Sequence, residues 1–105
     1  MGEIMKVLLT AIALAVSVPA VAHDHHRVIY YASDLVPWCR DEAQAPYIAK
    51  NITPYNWTTS YHDSGGMLYV DGKLRVHEAD VEVHCRIASG ARLEYAVVEI
   101  DDPSL

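Results

Sequence analysis

Three histidines crowd a short stretch of this 105-residue chain: His23, His25 and His26. Their value depends on where the chain is cut. Val7 to Val18 is an apolar run, Pro19 breaks it, and Ala20-Val21-Ala22 follows as a small-x-small cleavage site. That pattern predicts a secretory signal peptide over residues 1–22, with Met5 and Lys6 as an alternative start. Cleavage after Ala22 makes His25 the third residue of the mature chain. A free amine, two backbone amides and an imidazole at position three form a square-planar donor set suited to Cu(II) or Ni(II). His23 and His26 add further imidazoles. Metal handling through His23, His25 and His26 is therefore one functional expectation.

Cys39 and Cys85 are the only thiols. They lie far apart and form no CxxC, so a redox or zinc motif is a poor fit. In a short exported chain an even cysteine count predicts a disulfide, Cys39–Cys85. A loop of roughly 46 residues closed this way stabilises the fold by about 4 kcal/mol in the chain-entropy model. The staple matters because a domain this small buries only about 60–65% of its unfolded surface.

The remaining candidates are weaker. His62, His77 and His84 form no spacing motif. Serines 33, 60, 64, 89 and 104 lack an elbow or a partner pattern, and a disulfide would consume the thiol that could pair with His84. No enzyme is expected. Asn51-Ile52-Thr53 and Asn56-Trp57-Thr58 match the glycosylation acceptor pattern, which we read as chance.

The formal charge is −6, and loss of Glu3 and Lys6 with the leader leaves it unchanged. An acidic chain with no basic cluster is a poor partner for nucleic acid or anionic lipid. No apolar stretch after the leader could span a bilayer, and no cysteine follows the cleavage site to carry a lipid anchor. A periplasmic or secreted location is expected.

These residues need elements to position them. Residues 23–32 read as a polar leader, with a candidate strand at Val28 to Tyr31. Residues 33–105 read as one α+β domain. Ser33-Asp34 can cap a helix with Pro37 in its first turn, and Trp38 to Lys50 is mostly helical in pattern. Pro46 should end that helix near Ala45 or bend it on its way to Lys50. After Pro54 the period becomes two. Tyr55 to Tyr61, Leu68 to Val76, Val81 to Ile87 and Ala96 to Ile100 predict four antiparallel strands in a meander, with the helix on one face. Unbroken alternation carries one strand straight through Gly72. Four-residue turns at 63–66 and 77–80 would pair Arg75 with Glu82, Lys73 with His84 and Asp71 with Arg86. The same register sets Gly72 between Trp57 and Cys85.

On the opposite face the parity collects Tyr69, Leu93, Tyr95 and Val97 beside Glu82, His84 and Arg86. That is more apolar and aromatic than a solvated face requires. It predicts a protein contact or self-association surface, with His84 beside Tyr95. Helix-on-sheet modules of this kind recur among small periplasmic binding and inhibitor proteins, an analogy of fold alone. The leading expectation is a non-enzymatic, exported interaction or inhibitor-like module, without cofactor. The Cu(II)/Ni(II) reading is the alternative.

Overall fold

A computed structural model describes residues 24–105. The expected leader at 1–22, its cleavage site and His23 lie outside the described residues. The elements run β1 (Val28–Ile29), α1 (Ala32–Ile48), β2 (Tyr55–Ser64), β3 (Met67–Val76), β4 (Ala79–Ala88), β5 (Ala91–Arg92), a 3-10 turn (Leu93–Tyr95) and β6 (Val97–Asp101). Strands β2-β3-β4-β6 form one four-stranded antiparallel sheet in that order. The helix packs on one face of it, as the change of period predicts.

The core follows from two periodicities. Ala32, Leu35, Trp38, Cys39, Ala43 and Tyr47 line one face of α1 and are buried. Leu68, Val70, Leu74 and Val76 of β3, with Val81, Val83, Cys85 and Ile87 of β4, supply the facing sheet. Cys39 and Cys85 are bonded across this interface, with Cα atoms 5.9 Å apart. Tyr47 closes the far end. Its hydroxyl donates to Asp102 Oδ2 at 2.6 Å, tying the tail to the helix. Burial, then that bond, holds the Tyr47 phenol well above its usual pKa, and the same bond lowers that of Asp102.

The helix differs from expectation at its start, and at its end it follows the longer of the two alternatives to within two residues. It starts at Ala32 with Tyr31 as an uncapped N-cap, so Ser33 and Asp34 sit inside the first turn. It continues through Pro46 to Ile48. It stops where Asn51 adopts a left-handed φ of 61° and the Ile52 N–H bonds back to the Tyr47 carbonyl at 2.9 Å.

The sheet register is also corrected. Both hairpins turn on two residues, not four. Gly65 and Gly66 (φ 59° and 82°) join β2 to β3, and His77 and Glu78 (φ 51° and 69°) join β3 to β4. Positive φ at both central residues is the type I′ geometry, whose twist matches that of the flanking strands. The shorter turn moves each β3–β4 pair by two residues. Arg75 faces Asp80, Lys73 faces Glu82 and Asp71 faces His84. Val70, not Gly72, lies beside Cys85. A shift of two keeps every side chain on its predicted face. Gly72 does lie inside a strand, between Thr59 and Val83. A bulge between Tyr55 and Thr58, with Asn56 at φ 56°, swings the Trp57 indole over it.

Residues 24–32 are more than a leader. Val28 pairs with Arg92 and Ile29 with Ala91, and Ile29 is fully buried. The Leu93 N–H bonds to the Arg27 carbonyl and the Glu94 N–H to that of His25, at 2.8 and 2.9 Å. The folded unit therefore reaches back to His25. Among the described residues no helix is long and apolar enough to cross a membrane.

Candidate functional site

The helix covers one face of the sheet. The opposite face carries the alternate residues of the four strands, and the corrected register reads across it in rows. His62, Tyr69, Arg86 and Val97 make one row. Ser60, Asp71, His84 and Glu99 make the next. Asp71 is the junction. Its Oδ1 lies 2.7 Å from His84 Nδ1, and its Oδ2 lies 3.9 Å from His62 Nδ1. Glu82 Oε1 stands 3.6 Å from His84 Nε2. The hydrogen bond that His84 donates to Asp71, only partly opposed by desolvation, raises the His84 pKa above the usual histidine value. The His62 ring stacks on Tyr69 with centroids 5.0 Å apart. Arg86 meets Glu99 at 3.2 Å, and Arg75 meets Asp80 at 3.0 Å. The result is a shallow, charge-paired face with a shared carboxylate between two imidazoles. The carboxylate favours the protonated form of His84, and the face offers donors and an aromatic ring to a partner.

Tyr69, His84 and Val97 are brought together on this face as the parity predicts. Leu93 and Tyr95 are not. Leu93 is buried, only 3% exposed, because the 3-10 turn folds it into the core beneath β1 and β5. It cannot contact a partner. Tyr95 is exposed on the same turn, under the Arg92 guanidinium at 5.9 Å. His84 therefore faces Glu99 rather than Tyr95. A 3-10 turn has no period of two, so strand parity misplaces the residues inside it.

The histidine cluster is partly visible. His25 is exposed and its carbonyl is engaged by Glu94. His26 is also exposed, and its Nδ1 lies 3.2 Å from Glu94. Among the described residues no three His, Cys, Asp or Glu side chains are grouped to hold a metal ion. His23 falls outside them.

One feature of the site was missed in the sequence. The sheet has two edges, β2 and β6. β6 is five residues long and carries Glu99 and Asp101. β2 is ten residues long, has no Lys or Arg, and holds Asp63 as its single carboxylate. Natural edges are blunted by lysines, prolines, bulges or shortness. Here the devices are the bulge at Asn56-Trp57, near the start of the strand, and the single charge of Asp63 near its end. From Thr58 to Ser64 pairing with β3 is regular, and the far side of the strand faces solvent. The signal available in the sequence was the run Thr58-Thr59-Ser60-Tyr61, high in strand propensity and uncharged.

No protein-family model, curated protein or solved structure matches this chain.

Proposed function

We propose that this chain is a small exported interaction module, non-enzymatic, that meets a protein partner along the β2 edge and the adjoining open face of the sheet. The observation that carries the reading is the edge itself. A long strand without lysine or arginine, regular from Thr58 to Ser64, with unpaired backbone groups is a surface of the kind on which β-strand addition occurs. The neighbouring face supplies the side chains that would select a partner, with the His62–Tyr69 stack beside the Asp71–His84 pair. The periplasmic or secreted location rests on the signal-like leader and on the disulfide, a bond that persists in oxidising compartments.

A photo-crosslinking residue placed at position 61 or 97 tests the surface in the native compartment. Position 48, exposed on the helix side, is the control. Protein adducts from 61 and 97 and none from 48 are expected. Adducts from 48 alone would place the contact on the helix and end this reading.

A further inference from the structure

We propose that the partner of the β2 edge is β2 of a second copy of this chain, paired antiparallel about a two-fold axis at Tyr61 to give one continuous sheet through both molecules. This rests on the interaction reading above and deepens it. The argument begins at the hairpin turn. A two-residue type I′ loop makes the flanking residues, Ser64 and Met67, a hydrogen-bonded pair. Antiparallel ladders alternate, so His62, Ser60 and Thr58 also direct their backbone groups toward β3. Thr59, Tyr61 and Asp63 then direct theirs outward, away from the sheet. The outward set is centred on Tyr61.

Two copies related by a dyad at Tyr61 satisfy that set completely. Tyr61 meets Tyr61, Thr59 meets Asp63, and Asp63 meets Thr59, giving about six new backbone hydrogen bonds. Parity is kept, so the helix-covered faces lie on one side and the open faces on the other. The charges agree as well. The carboxylate of Asp63 faces a threonine, and the imidazole of His62 faces Ser60. No like-charged pair is opposed along the strand. The Tyr61 rings, each 54% exposed in the single chain, lie against one another across the axis. Moving the axis one paired position toward Ser64 would set His62 against His62, a like-charged pair whenever both are protonated. The Tyr61 axis avoids it.

The net charge adds a signature. Each copy carries −6, so the copies repel at long range while the strand contact itself is almost uncharged. Association should tighten as salt is added, the reverse of an ion-paired interface.

Sedimentation equilibrium of the exported protein from about 10 µM to 1 mM reads the association, a range suited to a contact of one strand pair. A dimer is expected, with affinity rising on NaCl addition. Tyr61→Lys and Tyr61→Asp each place two like charges on the axis and should weaken association at least tenfold. The two variants mixed should restore it, because Lys then faces Asp. Thermal unfolding of the separate variants checks that both remain folded. A wild-type chain monomeric throughout the range overturns the second copy as partner. Crosslinks from position 61 to a different protein would then leave the interaction reading standing. A dimer that survives both substitutions, or a mixture that stays monomeric, overturns the Tyr61 axis.

Discussion

Gly72→Ala is the sharpest test of how this sheet is packed. A Cβ built on Gly72 would fall 2.6 Å from Cζ3 and 2.9 Å from Cζ2 of Trp57, and closer still to Cη2. A methyl group cannot share that space with the indole. Glycine inside a strand normally costs conformational entropy, so alanine would by itself stabilise by roughly 0.5–1 kcal/mol. The clash opposes this. If the indole shifts within the core, overpacking costs about 1–3 kcal/mol. If it leaves the core, about 150 Å² of apolar surface returns to water, or about 4 kcal/mol at 25 cal/mol per Å². Net of the entropic gain, the middle of the first range leaves a loss of about 1 kcal/mol, and the second case a loss of about 3 kcal/mol. In a domain of this size that lowers the unfolding midpoint by about 4–8 °C for each kcal/mol. Thermal and urea unfolding, followed by tryptophan fluorescence, measure it. The mechanism also predicts non-additivity. Trp57→Leu alone removes packing, yet in the Gly72→Ala background it also removes the clash. The double variant should therefore lose about 1–2 kcal/mol less than the sum of the single losses. A Gly72→Ala protein as stable as wild type, or strict additivity in the cycle, would refute the reasoning.

Reducing Cys39–Cys85 releases a loop set by a sequence separation of 46 and should cost about 4 kcal/mol in the chain-entropy model; urea midpoints with and without reductant test it, and equal midpoints count against it. Asp71→Asn should lower the His84 pKa, because the bond His84 donates to the Asp71 carboxylate is the largest cause raising it. The sign follows from linkage: a folded pKa above the unfolded value gives stability that is full below the unfolded pKa, near 6.5, and lost as pH rises through the folded one. The wild type should thus lose this contribution as pH rises through the raised folded pKa, and Asp71→Asn should flatten that part of the profile. An NMR titration of the His84 ring that is unmoved by the substitution would contradict the assignment.

Most of the fold was legible because its signals are periodic. Alternation through Leu68, Val70, Gly72, Leu74 and Val76 identifies the face of β3 without any knowledge of its partner. Two cysteines permit a single intramolecular pairing. Gly65-Gly66 does announce the two-residue turn between β2 and β3, but the register across β3 and β4 was not legible, and the cause is local. His77 and Glu78 adopt left-handed φ without the Gly or Asn that would announce a type I′ turn. A four-residue turn fits the same parity, since both choices leave apolar residues inside. Charge pairing could not decide either, because each register offers opposite charges across β3 and β4. The longer turn joins Asp71 to Arg86, and the observed one joins it to His84.

The site was legible in part for the same reason. Parity places Tyr69, His84 and Val97 on the open face, and an error of two residues leaves them there. It fails for Leu93 and Tyr95, where the chain leaves the strand period for a 3-10 turn. The β2 edge was invisible to parity altogether. Being an edge is a property of neighbours, set by the sheet order β2-β3-β4-β6. Only that order turns an unremarkable polar strand into a row of free backbone groups. It also explains why the strand can be so polar. β2 has β3 on one side and solvent on the other, so apart from Trp57 its side chains have little core to fill. Uncharged Thr, Ser and Tyr maintain the strand while leaving its outer edge unguarded. A lysine at position 59 or 61 would block edge pairing at a modest cost in strand propensity. Neither position carries one, so the edge from Thr58 to Ser64 has no lysine to oppose pairing.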